Sequence, residues 1–306
     1  MNPYIALTRP GNAVLTAIAV IAGAFIASGP EIVDYWEEIA ICCISAMMLV
    51  GGGNALNDYN DRETDKENHP NRPIPSGEIS AETALNYSNI LLGLGLVILV
   101  FTLDNKMPFV IALLGVIALI GYENGLKAAG ITGNIAVGFM SGAVFLYAGM
   151  AVNNPGPTIW MFGLAVLATI SREIVKDIQD LEGDQDRRTL PARIGIDYSL
   201  NLAIVILLIA IGLSYTAMGQ FTDRALTAYT GGITLANVTM LFGIYNARKE
   251  DYFMGQKNIK QGMGIAMLAF IAAAGLNLVI FLLEYINICA FIHIFNEYCH
   301  LQSFRK

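Results

Sequence analysis

Two acidic clusters carry the chemistry of this sequence. The first reads Asn54-Ala-Leu-Asn57-Asp58-Tyr-Asn-Asp61-Arg-Glu-Thr-Asp65, the second Glu173-Ile-Val-Lys176-Asp177-Ile-Gln-Asp180-Leu-Glu-Gly-Asp184. At about 100° per helical residue, Asp58, Asp61 and Asp65 fall at roughly 0°, −60° and −20°, on one face. Asp177, Asp180 and Asp184 repeat that spacing 119 residues later (177 minus 58). Asn54 and Glu173 each stand one turn before the first aspartate, on the same face. Three carboxylates on one face repel each other and would protonate in a low dielectric. A divalent cation relieves this. An all-oxygen, water-sharing site suits Mg²⁺, which is usually held by one or two carboxylates together with substrate phosphate. The bases Arg72, Lys127, Arg172 and Lys176 lie near the clusters in sequence. They would complement a phosphate. One such cluster would pass for a solvated helix end; two at matched spacing argue for a site.

The elements that carry the clusters are membrane helices. Of 306 residues, 55% are hydrophobic and 14% charged, against about 25% charged in soluble domains. The net charge of −7 disfavours a nucleic-acid partner. The four cysteines form no CxxC pair and suggest neither a disulfide framework nor zinc. A membrane span needs about 20 mostly apolar residues. Nine candidates are read, at 11–28, 37–57, 84–103, 108–123, 131–152, 157–176, 199–218, 225–245 and 262–283. The chain is thus expected to be all-α, one membrane-embedded domain over 1–306. Its helices 1–4 and 5–8 would form a parallel pseudo-repeat. Only Arg9 flanks the first span and no cleavage site stands out, so it reads as a helix rather than a signal peptide.

With a cytoplasmic N-terminus, fourteen of the 18 lysines and arginines fall on the cytoplasmic side. Lys106, Arg224, Arg305 and Lys306 fall opposite. This bias orients the bundle. It places both acidic clusters, and the long polar loops 58–83 and 177–198 that follow them, on the cytoplasmic face of a cell membrane. Acids at a membrane boundary are expensive and mark function. The tail 284–306, with His293 and His300, reads as an amphipathic extension without chemistry of its own.

Asn57-Asp58-x-x-Asp61-x-x-x-Asp65 resembles the first motif of the UbiA superfamily of intramembrane prenyltransferases. Asp177-x-x-Asp180-x-x-x-Asp184 resembles its second. Asn71-Arg72-Pro73-Ile74-Pro75-Ser76-Gly77 extends the likeness, which covers the chain to about residue 283. The resemblance implies a polyprenyl diphosphate donor, with Mg²⁺, two ions by this reading, bridging the six aspartates and the diphosphate. It also implies a lipid-open cavity capped by the two long loops. Tyr122-Glu-Asn-Gly-Leu-Lys127 resembles a Tyr…Lys element of the family, with one residue more between the pair than many members have. Thr8-Arg9-Pro10-x-Asn12, Ser171-Arg172-Glu173-Ile174-x-Lys176-Asp177 and Arg188-Thr189-Leu190-Pro191 look most like the archaeal, ether-lipid branch. That likeness implies geranylgeranyl transfer to the hydroxyl of geranylgeranylglyceryl phosphate, with Asn12, Asn54, Asn57, Arg72, Lys127, Arg172 and Lys176 binding substrate.

Three other readings are weighed. A prenyltransferase with an aromatic acceptor shares most of these motifs. A CDP-alcohol phosphotransferase would carry a single Asp-Gly…Ala-Arg array, which is missing. A cation transporter would place its acids near the bilayer midplane, not at helix ends that run into Arg- and Pro-bearing loops. Small residues on the fifth span (Gly138, Ser141, Gly142, Gly149) fit close helix packing better than cavity walls.

Overall fold

The computed structural model describes residues 2–181 and 189–276. Its described residues are helical throughout, joined by turns. The helices are α1 (Pro3–Thr8), α2 (Pro10–Ser28), α3 (Trp36–Asn60), α4 (Arg62–Asn68), α5 (Ala81–Thr102), α6 (Met107–Glu123), α7 (Ile131–Ala151), α8 (Gly156–Gln179), α9 (Leu190–Ile194), α10 (Ile196–Thr216), α11 (Asp223–Arg248) and α12 (Tyr252–Leu276). Among the described residues, seven segments are long and apolar enough to cross a membrane. The first, Pro10–Asn60, holds both α2 and α3 around the 3₁₀ turn Gly29–Tyr35. The 17-residue α6 is a shorter apolar helix. Each expected span overlaps one of these helices within the described residues; residues 277–283 of the last lie outside them. The last begins at Tyr252, ten residues before the expected 262, because Lys257 and Lys260 sit within the helix instead of before it. The tail 284–306 lies outside the described residues. Large apolar side chains such as Phe101, Leu15 and Leu268 are exposed, as a lipid-facing surface requires.

Small residues set the close helix contacts. Ser45 donates to the Gly95 carbonyl and Ser88 to the Gly52 carbonyl, both at 2.7 Å, locking α3 against α5. Ser171 locks α8 against α10 through the Ala203 carbonyl at 2.8 Å. Between α7 and α8 the glycines leave no room for a methyl. A Cβ at Gly138 would lie 2.7 Å from Ile170 Cγ1, and one at Gly142 would lie 2.7 Å from the Phe162 carbonyl oxygen. Gly138 and Gly142 therefore serve packing, as does Gly149 against Thr158, while Ser141 is exposed.

The helices have two distinct ends. At one, the connections are short and tied together: Asn154 donates to the Ala27 carbonyl and Asn105 to the Met150 carbonyl, both at 2.7 Å. The other end gathers the polar segments. There Leu7, Ala55, Ile79 and Ala84 are buried together, which seats α1 and the 73–79 turn on α3 and α5. The residue before a proline is driven out of the α region. Arg9, preceding Pro10, accordingly breaks α1 from α2 at φ 48.

Candidate active site

Asp58 closes the last turn of α3 with its side chain only 4% exposed. The Arg9 guanidinium Nη2 donates to Asp58 Oδ1, and lies 3.3 Å from Asn57 Oδ1. Arg72 Nη1 sits 3.5 Å from Asp58 Oδ1 and 2.5 Å from Asp65 Oδ2. Lys127 Nζ donates to both Asp61 oxygens, at 2.7 and 2.6 Å. Asn57 Nδ2 bridges Asp61 Oδ2 at 3.0 Å and Glu123 Oε1 at 3.1 Å. Repulsion among the aspartates is thus relieved by interleaved bases, one beside each acid. Outside the membrane helices, the exposed Glu63 accepts from Lys66, which holds its carboxyl below the ordinary range.

The second cluster ends α8. Asp177 Oδ2 accepts from Asn134 Nδ2 at 2.9 Å. The oxygen of that amide, Asn134 Oδ1, is buried and has no hydrogen-bond donor among the described residues. Arg172 Nη1 pairs with Glu173 Oε1 at 2.5 Å. Asp180 caps the helix, and Lys176 is exposed. Asp184 lies outside the described residues. The α6–α7 connection joins the clusters: Lys127 reaches Asp61, Arg193 of α9 donates to the Ala128 carbonyl at 3.2 Å, and Asn134 reaches Asp177. Gly125 at φ 148 turns this connection and accommodates the extra residue between Tyr122 and Lys127. Lys127 therefore lies against Asp61 and Glu123, while Tyr122 lies on a cavity wall.

That cavity, about 350 Å³, runs between α3, α6 and α7. Its polar mouth carries Arg9, Asn54, Asn57, Tyr122 and Glu123. Below the mouth the lining follows helical stripes: Gly53, Val50, Leu49 and Ala46 on α3, and Met140, Ala143, Val144 and Tyr147 on α7. The result is an apolar slot with a charged rim. Asn12 is exposed and is not on the lining. Arg9, Glu123 and Asn134 emerge as site residues that the motif spacing did not single out. Asn134 had a signal, a buried amide in a helix otherwise built of apolar and small residues.

The rim and second cluster together hold more acids (Asp58, Asp61, Asp65, Glu123, Glu173, Asp177, Asp180) than bases (Arg9, Arg72, Lys127, Arg172, Lys176). A phosphorylated ligand would add further negative charge, so such a site needs added cations. The residues fit Mg²⁺ on this ground and on another: the donors are all oxygen, and the partnerless Asn134 oxygen sits beside Asp177. Among the described residues no three acidic, His or Cys side chains converge on one point as they stand; the interleaved bases hold the aspartates apart.

A model of the UbiA prenyltransferase family matches residues 16–268. A digeranylgeranylglyceryl phosphate synthase of Methanothrix thermoacetophila is 39% identical over 268 residues, 87% of this chain and 96% of that protein. The enzyme of that name from Methanosphaera stadtmanae is 34% identical over 281 residues, 90% of this chain and all of the other. A solved structure concerning digeranylgeranylglyceryl phosphate synthase in membranes superposes with a TM-score of 0.77 at 31% identity, covering 89% of this chain and 98% of that one. A UbiA homologue from Archaeoglobus fulgidus, bound to GPP and Mg²⁺, shares the fold at a TM-score of 0.65 and 18% identity, over 90% of this chain and 99% of its own. The family match, the relatives and the apolar slot with its aspartate rim agree: this multi-pass membrane protein belongs to the UbiA prenyltransferase family.

Proposed function

We propose that the chain transfers a geranylgeranyl group from its diphosphate to the hydroxyl of geranylgeranylglyceryl phosphate, with Mg²⁺ as cofactor. The observation that carries this reading is the slot itself: apolar walls long enough for a prenyl chain, ending at a rim where acids and bases alternate. Relatives carrying the name of that synthase along nearly their whole length support the acceptor.

In this reading Asp58, Asp61, Asp177 and Asp180 hold Mg²⁺, as two ions, with Asp65 and Asp184 assisting. The metal supplies charge neutralisation on the leaving diphosphate when bound. Arg9, Arg72 and Lys127 bind the diphosphate from the first cluster, Arg172 and Lys176 from the second, stabilising the charge that grows on the leaving oxygen. Asn54 and Asn57 orient the rim: Asn54 Nδ2 holds the Thr8 carbonyl at 3.0 Å, next to Arg9. The allylic C–O bond to diphosphate breaks, and the acceptor hydroxyl forms the new C–O bond. Its proton goes to released diphosphate or to a carboxylate, and Glu123 is the carboxylate on the cavity wall. Apolar walls exclude water, which would otherwise capture the cation. Tyr122 closes the wall beside the reacting carbon.

The same reading takes residues 1–306 as one domain of nine spans with a parallel pseudo-repeat. The α4–turn segment and the α9 segment form the cytoplasmic cap. Supporting it, α3–α5 and α8–α10 are locked by serine-to-carbonyl bonds of the same kind.

Two experiments test this. Purified protein, Mg²⁺ and geranylgeranyl diphosphate are incubated with geranylgeranylglyceryl phosphate and 4-hydroxybenzoate together, and products are identified by mass spectrometry. The expected product is the digeranylgeranyl ether; predominant prenylation of the benzoate ring would overturn the acceptor assignment. For orientation, Ser76→Cys, in the exposed turn after Pro75, should react with an impermeant maleimide only from the cytoplasmic face. Labelling from outside would invert the topology and the cap with it.

A further inference from the structure

We infer that Asn134 is a positioning residue of the second cluster: its amide nitrogen fixes the Asp177 carboxylate, and its amide oxygen takes a hydrogen bond from a hydration water of Mg²⁺. The inference rests on the Mg²⁺ reading above. Asn134 stands in the first turn of α7 and is 5% exposed. It is the sole carboxamide of that helix. Burying an amide is costly unless both of its ends are paired. One end is paired, since Nδ2 donates to Asp177 Oδ2 at 2.9 Å across 43 residues of chain. The other, Oδ1, is buried and has no donor among the described residues.

The two observations are linked. An ionised carboxylate only accepts, so Asp177 requires the NH₂ group to face it. Flipping the amide would set oxygen against oxygen. The unpaired oxygen is therefore the consequence of holding Asp177, and it needs a donor. Diphosphate oxygens, free of protons, supply none. Water on Mg²⁺ does, and Mg²⁺ usually keeps several waters because it dehydrates reluctantly. The backbone around Asn134 is fixed as well. A Cβ at the adjacent Gly133 would lie 2.4 Å from the Leu126 carbonyl oxygen, so the turn Leu126–Ala128 rests directly on the start of α7. That same turn sends Lys127 to Asp61. Asn134 is thus set at one depth relative to both clusters. Partners that orient metal ligands in this way typically contribute ten- to hundredfold to metal affinity.

The test uses the metal alone. Mn²⁺ is titrated into the full-length protein in detergent, without prenyl substrate, and free Mn²⁺ is followed by its EPR signal. Asn134→Leu removes the amide at similar volume and should weaken Mn²⁺ binding by about tenfold or more. Should that variant fail to purify, Asn134→Ala serves the same comparison. Ser171→Ala, which loses the 2.8 Å bond between α8 and α10, measures a purely structural loss: its Tm should fall while its Mn²⁺ affinity stays. Unchanged Mn²⁺ affinity in the Asn134 variant, or an equal loss in both variants, overturns the inference. Unchanged metal affinity with a raised acceptor KM overturns it too, and gives the amide oxygen to the acceptor hydroxyl. No saturable Mn²⁺ binding by the wild-type protein would instead bring down the metal reading beneath it.

Discussion

Asp61→Asn is expected to lower turnover by about 10²–10³-fold or more, the scale on which losing one preorganised charge at a reacting site is felt. Asp58→Asn, Asp177→Asn and Asp180→Asn should do the same. The substitution keeps shape and one acceptor oxygen, so what it removes is charge. At Asp61 that charge accepts two bonds from Lys127 and one from Asn57, and in the proposed site it is also a metal ligand. At Asp177 it lies beside the Asn134 amide oxygen, which has no donor among the described residues. The controls are membrane insertion and melting temperature in detergent. Asp58→Asn should also cost stability, since the buried carboxylate is the partner of Arg9 and stands near Arg72 and removing one member leaves the others uncompensated. Asp180, half-exposed at the end of α8, gives the cleanest separation of charge from folding. Near-normal rates in any two of the four would sink the two-cluster site.

The helices could be read from the sequence because lipid demands it. Long apolar runs have few alternatives to a spanning helix, and the scarcity of charge made two matched aspartate triplets stand out. What could not be read was pairing across distance. Arg9 was read as a topology charge and as part of a motif, with no partner, yet it reaches Asp58 across 49 residues. Glu123 stood inside a recognised element, but its bonds from Asn57 and Asn60 span 66 and 63 residues. Such partners follow from the way α3, α6 and α7 pack, which no local pattern encodes. The glycines of α7 illustrate the converse. The sequence suited packing, and the structure agrees: Gly138 and Gly142 face α8 while Ala143 and Val144 face the slot. Gly53 on α3 and Gly115 on α6 line the slot instead, a role that spacing alone does not assign. Asn12, adjacent in sequence to the α1–α2 break, is exposed and off the cavity lining, while Arg9 beside it reaches Asp58.

Lys127 separates the work of charge from that of architecture. Its side chain is 16% exposed, and its ammonium lies against the Asp61 oxygens with Glu123 at 3.9 Å. If it also holds the donor diphosphate, Lys127→Ala should lower kcat/KM for the donor by roughly ten- to hundredfold, since a hydrogen bond to a charged group contributes about 1.5–3 kcal/mol. Part of the loss should appear in kcat, because charge on the leaving oxygen grows in the transition state. The acceptor KM should stay put, as the acceptor's hydroxyl carries no such charge. A lysine that only marks the cytoplasmic side would leave both substrates unaffected in detergent. A lysine that only neutralises Asp61 would become dispensable once Asp61 is Asn, so the double variant would be no worse than Asp61→Asn alone. A donor-specific loss that persists in the double variant is the result that places Lys127 on the diphosphate. An unchanged donor response in the single variant removes it and leaves Arg9, Arg72, Arg172 and Lys176 to hold the leaving group.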